Sequence, residues 1–115
     1  MRREDRILVV EDNPAISRAI EEMYTCDHAT DGWDAIEKLE AGDYAAIVID
    51  GDVQRQSGYG VLTYLREEVG DDVGNVIFMT SSSHDAVRRK FGLALHVVDK
   101  ENALAEINRV LDRGL

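Results

Sequence analysis

Two short stretches of the sequence join apolar runs directly to carboxylates: "ILVVEDN", carrying Glu11 and Asp12, and "AAIVIDGD", carrying Asp50 and Asp52. Further on, "VIFMTSS" ends its apolar run at Thr80 and Ser81, and "HVVDK" ends at Asp99 and Lys100. Three carboxylates brought together repel one another and need a cation. An all-oxygen donor set with few protein ligands suits a hard, octahedral ion that keeps several waters, and Mg2+ meets that description. A carboxylate beside such an ion, a hydroxyl and an ammonium can attack a phosphoryl group. The metal and Lys100 would neutralise the phosphoryl oxygens, and Thr80 would hydrogen-bond one of them. The product of that attack would be an acyl phosphate on Asp50.

The groups can act together only if one scaffold edge collects them. The chain reads as short apolar runs alternating with helix-period segments, which predicts an α/β fold of five parallel strands and five helices. The predicted strands are 6–10, 24–29 (the most polar, placed near the sheet edge), 45–49, 75–79 and 95–100. Right-handed crossovers place every strand's C-terminal end on one edge, and ligands of open α/β sheets bind beyond that edge, where strand order reverses. An isolated Asp or Asn at a strand end is often only a helix cap or turn former. Five such positions converging on one edge are better explained as a site.

Helix signals fit the alternation. Asn13 is placed as an N-cap before Pro14 at the first helical position of a short first helix, with Ile16, Ala19, Ile20 and Met23 on its inward face. Asp31 caps the second helix, Asp34 sits in its first turn and Gly42 closes it; Trp33, Ile36 and Leu39 are read as its packing face. Val61, Leu62 and Leu65 point the third helix inward, Ser82 and Asp85 are spaced like a capping box for the fourth, and Leu104, Ile107 and Leu111 turn the last toward the core. His28 and His84 read as surface residues with no identifiable partner.

Length and composition bound the alternatives. A chain of 115 residues fits a single domain spanning 1–115. The charged start "MRREDR" does not resemble a secretory signal, and no run of about 18 apolar residues offers a membrane span. The single cysteine, Cys26, reads as a small hydrophobe on a strand, so a cytoplasmic setting is expected. A formal net charge of −10 argues against direct contact with nucleic acid or an anionic membrane. Only Lys38, Lys90 and Lys100 are lysines, and such an acidic, Lys-poor surface suits a salt-rich cytoplasm.

In this order and spacing, the motifs resemble the receiver domain of two-component response regulators over essentially the whole chain. "ILVVEDN" resembles the opening strand with its acid pair, "AAIVIDGD" the third strand with the phosphoacceptor, and Gly58 in "RQSGYGVL" the glycine that begins the next helix. "VIFMTSS" resembles the strand ending in the hydroxyl, and "HVVDK" the one ending in lysine. The resemblance implies a doubly wound, flavodoxin-like (βα)5 sheet with a shortened first helix. It implies that Asp50 takes a phosphoryl group from a phosphohistidine on a sensor histidine kinase or phosphotransfer protein. Asp12 and Asp50 would hold Mg2+ through carboxylates, Glu11 through water and Asp52 through its backbone carbonyl. Thr80 and Lys100 would engage the phosphoryl group, and the face around the fourth helix and fifth strand would switch shape toward a downstream target or a separate output protein. In this reading the domain is a phosphoacceptor with self-catalysed transfer, not a metabolic enzyme.

Four departures from the family pattern carry expectations of their own. The first helix is about five residues short, and no proline follows the phosphoacceptor. Lys100 is followed by Glu101 rather than proline, so the loop there is expected to take a different course, because a cis bond to a non-proline residue costs about 3 kcal/mol. Val97 stands where the family often has an aromatic, and His96 could replace it only through a one-residue slip of register. Two other readings compete. "IVIDGDV" is similar to the nucleophile motif of haloacid dehalogenase-type phosphatases, with Asp50 as nucleophile and Asp52 as general acid. The third reading is a receiver-like binding module that is never phosphorylated.

Overall fold

A computed structural model describes residues 6–11, 14–50, 58–69, 75–80, 84–91 and 96–113. The described elements alternate without exception: β1 (Ile7–Val10), α1 (Pro14–Glu21), β2 (Cys26–Ala29), α2 (Gly32–Ala41), β3 (Ala46–Asp50), α3 (Gly58–Val69), β4 (Val76–Met79), α4 (His84–Phe91), β5 (His96–Val98) and α5 (Ala103–Arg113). The five strands are parallel and ordered β2-β1-β3-β4-β5, so the direction of winding reverses between β1 and β3. The alternation predicted the parallel strands and their helices, and the doubly wound order, with helices on both faces, is the one the family resemblance implies.

The apolar runs are buried on both sides, as parallel strands require. Alternate residues supply two cores. Leu8, Val10, Ile49, Phe78 and Val97 pack on the face that carries Ala35 of α2, Val61 and Leu65 of α3 and Val87 of α4. Ile7, Val9, Val48, Ile77 and Met79 pack on the other face with Ile20 of α1 and Ala103, Ile107 and Val110 of α5. Leu104 and Leu111 join that second core from its margin.

Pro14 is the first residue of α1, whose eight residues confirm a short first helix. The helix ends at Glu21, so Met23 is not on its inward face and is largely exposed. Asp31 caps α2 as its sequence position predicted: its Oδ1 accepts from the Asp34 backbone N–H at 2.9 Å. Gly42 ends the helix in extended backbone (φ 172°), which any residue can adopt. Replacing Asp31 with alanine is expected to cost about 1 kcal/mol. For a domain of this size that lowers the melting temperature by about 4 °C, which a thermal melt followed by circular dichroism checks.

Trp33 contradicts its predicted role. It is 62% exposed. The buried stripe of α2 runs through Gly32 and Ala35, with Leu39 packed beside it. Trp33 lies about 100° round the helix from Gly32, at the margin of that stripe. The expectations for Asn13 and Ser82 fall outside the described residues, as does the side chain of Leu62.

Cys26 is partly buried against the core of the α1 and α5 face, and its Sγ lies 3.5 Å from the Tyr24 carbonyl oxygen. Burial first, then the nearby charges of Glu21 and Asp27, push the thiol up from its ordinary 9.0 to about 11. At pH 8 the reactive thiolate is therefore about a hundredfold scarcer than in the unfolded chain. Alkylation by iodoacetamide at pH 8 is expected to slow by that factor in the native state. Because the folded value is the higher one, any stability linked to this thiol is complete below pH 9 and is lost as pH rises toward 11.

Candidate phosphoryl-transfer site

The carboxylate edge forms where β1 and β3 end side by side. Their register pairs Val10 with Ile49, so Glu11 and Asp50 come next on the same ladder. Neighbouring strands run about 4.8 Å apart, and the two residues follow the same alternation as Val9 and Val48. Glu11 is 4% exposed and Asp50 1%. Two acids are thus enclosed next to each other at the point where strand order reverses, the position at which open α/β sheets bind ligands.

Thr80 follows β4 directly and is 2% exposed. Asp50 is paired with Met79, so the hydroxyl residue stands one step beyond Asp50's partner on the adjoining strand. The Thr80 backbone N–H donates to the Val98 carbonyl at 3.1 Å, which ties this end of β4 to β5. Lys100 lies two residues beyond β5 and opens a short 3-10 turn, Lys100–Asn102, in which the Asn102 N–H donates to the Asp99 carbonyl at 3.0 Å. That turn leads straight into α5.

Of the predicted site residues, the fold brings Glu11, Asp50 and Thr80 to one edge, with the backbone of Lys100 at the end of β5 on that same edge. Asp12, Asp52 and the side chain of Lys100 lie outside the described residues. Among the described residues no group of three or more His, Cys, Asp or Glu side chains could hold a metal ion. Only Glu11 and Asp50 of the four expected donors belong to that described set.

The flank of the edge holds contacts that spacing along the chain does not reveal. His84, the first residue of α4, places Nε2 2.9 Å from Asp99 Oδ1, joining α4 to the end of β5. His28 pairs with Glu21 of α1. Both histidines, which read as surface residues with no identifiable partner, have carboxylate partners elsewhere in the chain.

His96 points toward α5, where its Nδ1 lies 2.7 Å from Glu106 Oε2; the Arg109 guanidinium donates to Glu106 Oε1, also at 2.7 Å. The register pairs Val97 with Phe78 and keeps Val97 in the core of the opposite face, so there is no one-residue slip. Glu106 is 8% exposed and is held by two cationic or hydrogen-bonding partners, as a buried carboxylate requires. The only sequence signal for this chain of contacts was an acid on the inward side of the last helix.

Residues 7–112 match the family model described as the response regulator receiver domain. The chain belongs to the response regulator receiver family. Among solved structures, this receiver is similar to the receiver domain of the sensor histidine kinase PA1611 from Pseudomonas aeruginosa PAO1, at 30% identity and a TM-score of 0.76 over 95% of both chains. That structure has a magnesium ion coordinated in its active site cleft. It is also similar to the response regulator TrrA from Thermotoga maritima in complex with Mg(2+)-BeF, at 26% identity and a TM-score of 0.70 over 93% of this chain and 99% of the other.

Among curated relatives, it is 36% identical over 83 residues to the transcriptional regulatory protein DltR of Streptococcus agalactiae, covering 68% of this chain and 36% of that protein. It is 40% identical over 68 residues to the transcriptional regulatory protein TcrA of Mycobacterium tuberculosis, covering 55% of this chain and 27% of that protein. The chain therefore spans about a third of the length of these relatives. Membership of this family excludes a metabolic enzyme and sets aside the dehalogenase-type reading. Among the described residues no helix is long and apolar enough to cross a membrane.

Proposed function

We propose that the receiver takes a phosphoryl group onto Asp50 from the phosphohistidine of a sensor histidine kinase or phosphotransfer protein, in a reaction that depends on Mg2+. The observation that carries this reading is the enclosed pair Glu11 and Asp50, next to each other in register at the strand-order reversal. Two carboxylates buried side by side are stable together when a cation or a proton offsets one charge. An oxygen-only donor set of this kind fits Mg2+, and neighbouring receivers crystallised with that ion have the same fold.

In this assignment Asp12 and Asp50 would hold the ion through carboxylates, Glu11 through a water molecule and Asp52 through its backbone carbonyl. When bound there, the ion would supply positive charge to offset the phosphoryl oxygens. An Asp50 carboxylate oxygen forms the new O–P bond while the P–N bond of the phosphohistidine breaks, and the imidazole leaves and takes up a proton. Burial of Asp50 keeps bulk water from the acyl phosphate and holds the nucleophile in one orientation. Thr80 offers its hydroxyl, and Lys100 its ammonium, to the phosphoryl oxygens.

The consequence of phosphorylation is a shift on the side where Thr80, β5 and α4 meet. Thr80 is bonded through its backbone to Val98, and Asp99, the next residue, is bonded to His84 at the start of α4. A displacement of Thr80 toward the phosphoryl group therefore acts on β5 and α4 through two hydrogen-bonded steps. That face would present the signal to a downstream protein.

The metal assignment is tested by thermal stability. A ligand that binds only the folded state at a hundredfold excess over its Kd adds about 2.7 kcal/mol. Mg2+ is expected to raise the melting temperature of the receiver by several degrees, and Asp12→Ala to remove that increase. An equal increase in the variant would show that the ion sits elsewhere.

A further inference from the structure

A cavity lies at the opposite edge of the sheet from Asp50, where β3 and β4 begin. It encloses about 690 Å3 between the end of α2, the outer part of α3 and the first residues of these strands. Its floor is apolar and buried: Tyr44, Ile47, Leu65 and Val76. Its rim carries three exposed carboxylates, Glu40, Asp43 and Glu68, with Tyr64 between α2 and the mouth. No lysine or arginine belongs to the described lining.

The walls are fixed by contacts that do not use the rim. The Tyr44 hydroxyl donates to Asp27 Oδ2 at 2.8 Å, and Asp27 is also paired with Arg6. Asn75 Nδ2 donates to the Tyr44 carbonyl at 3.2 Å, which joins the residue before β4 to the segment leading into β3. The lysine closest in sequence to the rim, Lys38, is drawn back along α2 to Asp34 Oδ1 at 2.7 Å and leaves the rim acids uncompensated from that side. Glu40 and Glu68 line the same space as the Tyr64 ring, and burial first, then their charges, raise the Tyr64 phenol.

We propose that this cavity binds a small organic cation with an apolar body, an aryl- or alkylammonium. The volume falls within the range of small-molecule sites, roughly 300–1,000 Å3. The buried floor would take the apolar body, and the rim carboxylates would take the ammonium. Tyrosine rings in the lining add attraction for a cation placed over a ring face. The complementarity is one-sided: three acids, no base in the described lining, and a chain of net charge −10 that repels anions. The proposal stands apart from phosphoryl transfer. The two sites share strands all the same, because Ile47 and Val76 are paired on β3 and β4, whose far ends carry Asp50 and lead into Thr80.

The test is titration of the receiver with phenethylamine, with its neutral counterpart phenethyl alcohol, and with a short peptide bearing lysine among leucines, followed by amide chemical shifts. The amine is expected to shift residues 39–47, 64–68, 75 and 76, and to bind at least about tenfold more tightly than the alcohol. The double variant Glu40→Gln, Glu68→Gln changes two exposed side chains, and its melting curve confirms the fold. It is expected to reduce amine binding to the level of the alcohol. Equal binding of amine and alcohol, undiminished binding in the double variant, absence of binding, or binding of the peptide alone would each overturn the proposal.

Discussion

Replacing Asp50 with asparagine is expected to abolish phosphoryl uptake and, in metal-free buffer, to raise the melting temperature. The amide has nearly the same shape, so the ends of β1 and β3 should remain paired as they are. It is not a competent nucleophile toward phosphorus, and no acyl phosphate can form on it. The change in stability follows from register. Glu11 and Asp50 stand side by side on adjoining strands and both are enclosed, so removing one charge relieves repulsion between two neighbouring carboxylates. A gain of about 1–2 kcal/mol is expected, seen as several degrees in a thermal melt. Undiminished phosphorylation would show that another residue is the acceptor. A lower melting temperature would mean that the Asp50 charge is stabilised by the fold even without a cation.

The second large effect concerns the scaffold. Phe78 lies at the centre of β4 with no exposed surface, packed in the core that also holds Val10, Ile49, Val87 and Val97. Phe78→Ala is expected to cost about 3–5 kcal/mol, the transfer term for the ring plus the cavity it leaves. A domain of this kind has about 5–15 kcal/mol in total, so the variant sits near the limit of folding. Urea unfolding measures this as a fall in midpoint at nearly constant slope. A loss below about 1 kcal/mol would mean that α3 and α4 close over the vacated space.

Such a core was readable from the sequence because parallel strands covered on both faces must be apolar throughout. "ILVV", "AIVI" and "VIFM" could each be placed within a residue of their observed limits. Asp31 was readable as a cap for a local reason: its side chain bonds three residues ahead, within a single turn. The meeting of Glu11, Asp50 and Thr80 at one edge followed from strand direction alone, since right-handed crossovers leave no other arrangement.

What the sequence concealed depends on contacts between distant elements. His84 and Asp99 are fifteen residues apart. His96 finds Glu106 on the helix that follows, and no local spacing rule pairs either set. Trp33 was misplaced for a related reason. Helical periodicity defines a broad apolar stripe, and only the packing of α2 against the sheet decides which margin of it is covered. Here Gly32 and Ala35 make the close approach, and the large ring is left in solvent.

One departure from the family pattern lies in the strand next to α4. Val97 is buried where the family often has an aromatic, and α4 has eight residues. The contacts on that side are His84 with Asp99, and His96 with Glu106 and Arg109. In the proposed route, the steps that link Thr80 to α4 are polar: the Thr80 backbone bond to Val98, then the contact of Asp99 with His84.

The most direct measurement is the intact mass of the receiver after incubation with a small-molecule phosphodonor, with and without Mg2+. The account predicts a gain of one phosphoryl group that requires Mg2+, is reversed by hydroxylamine as an acyl phosphate should be, and is absent from Asp50→Asn. No gain in a folded protein, or a gain that persists without Asp50, would contradict it and leave a receiver fold that acts by contact alone.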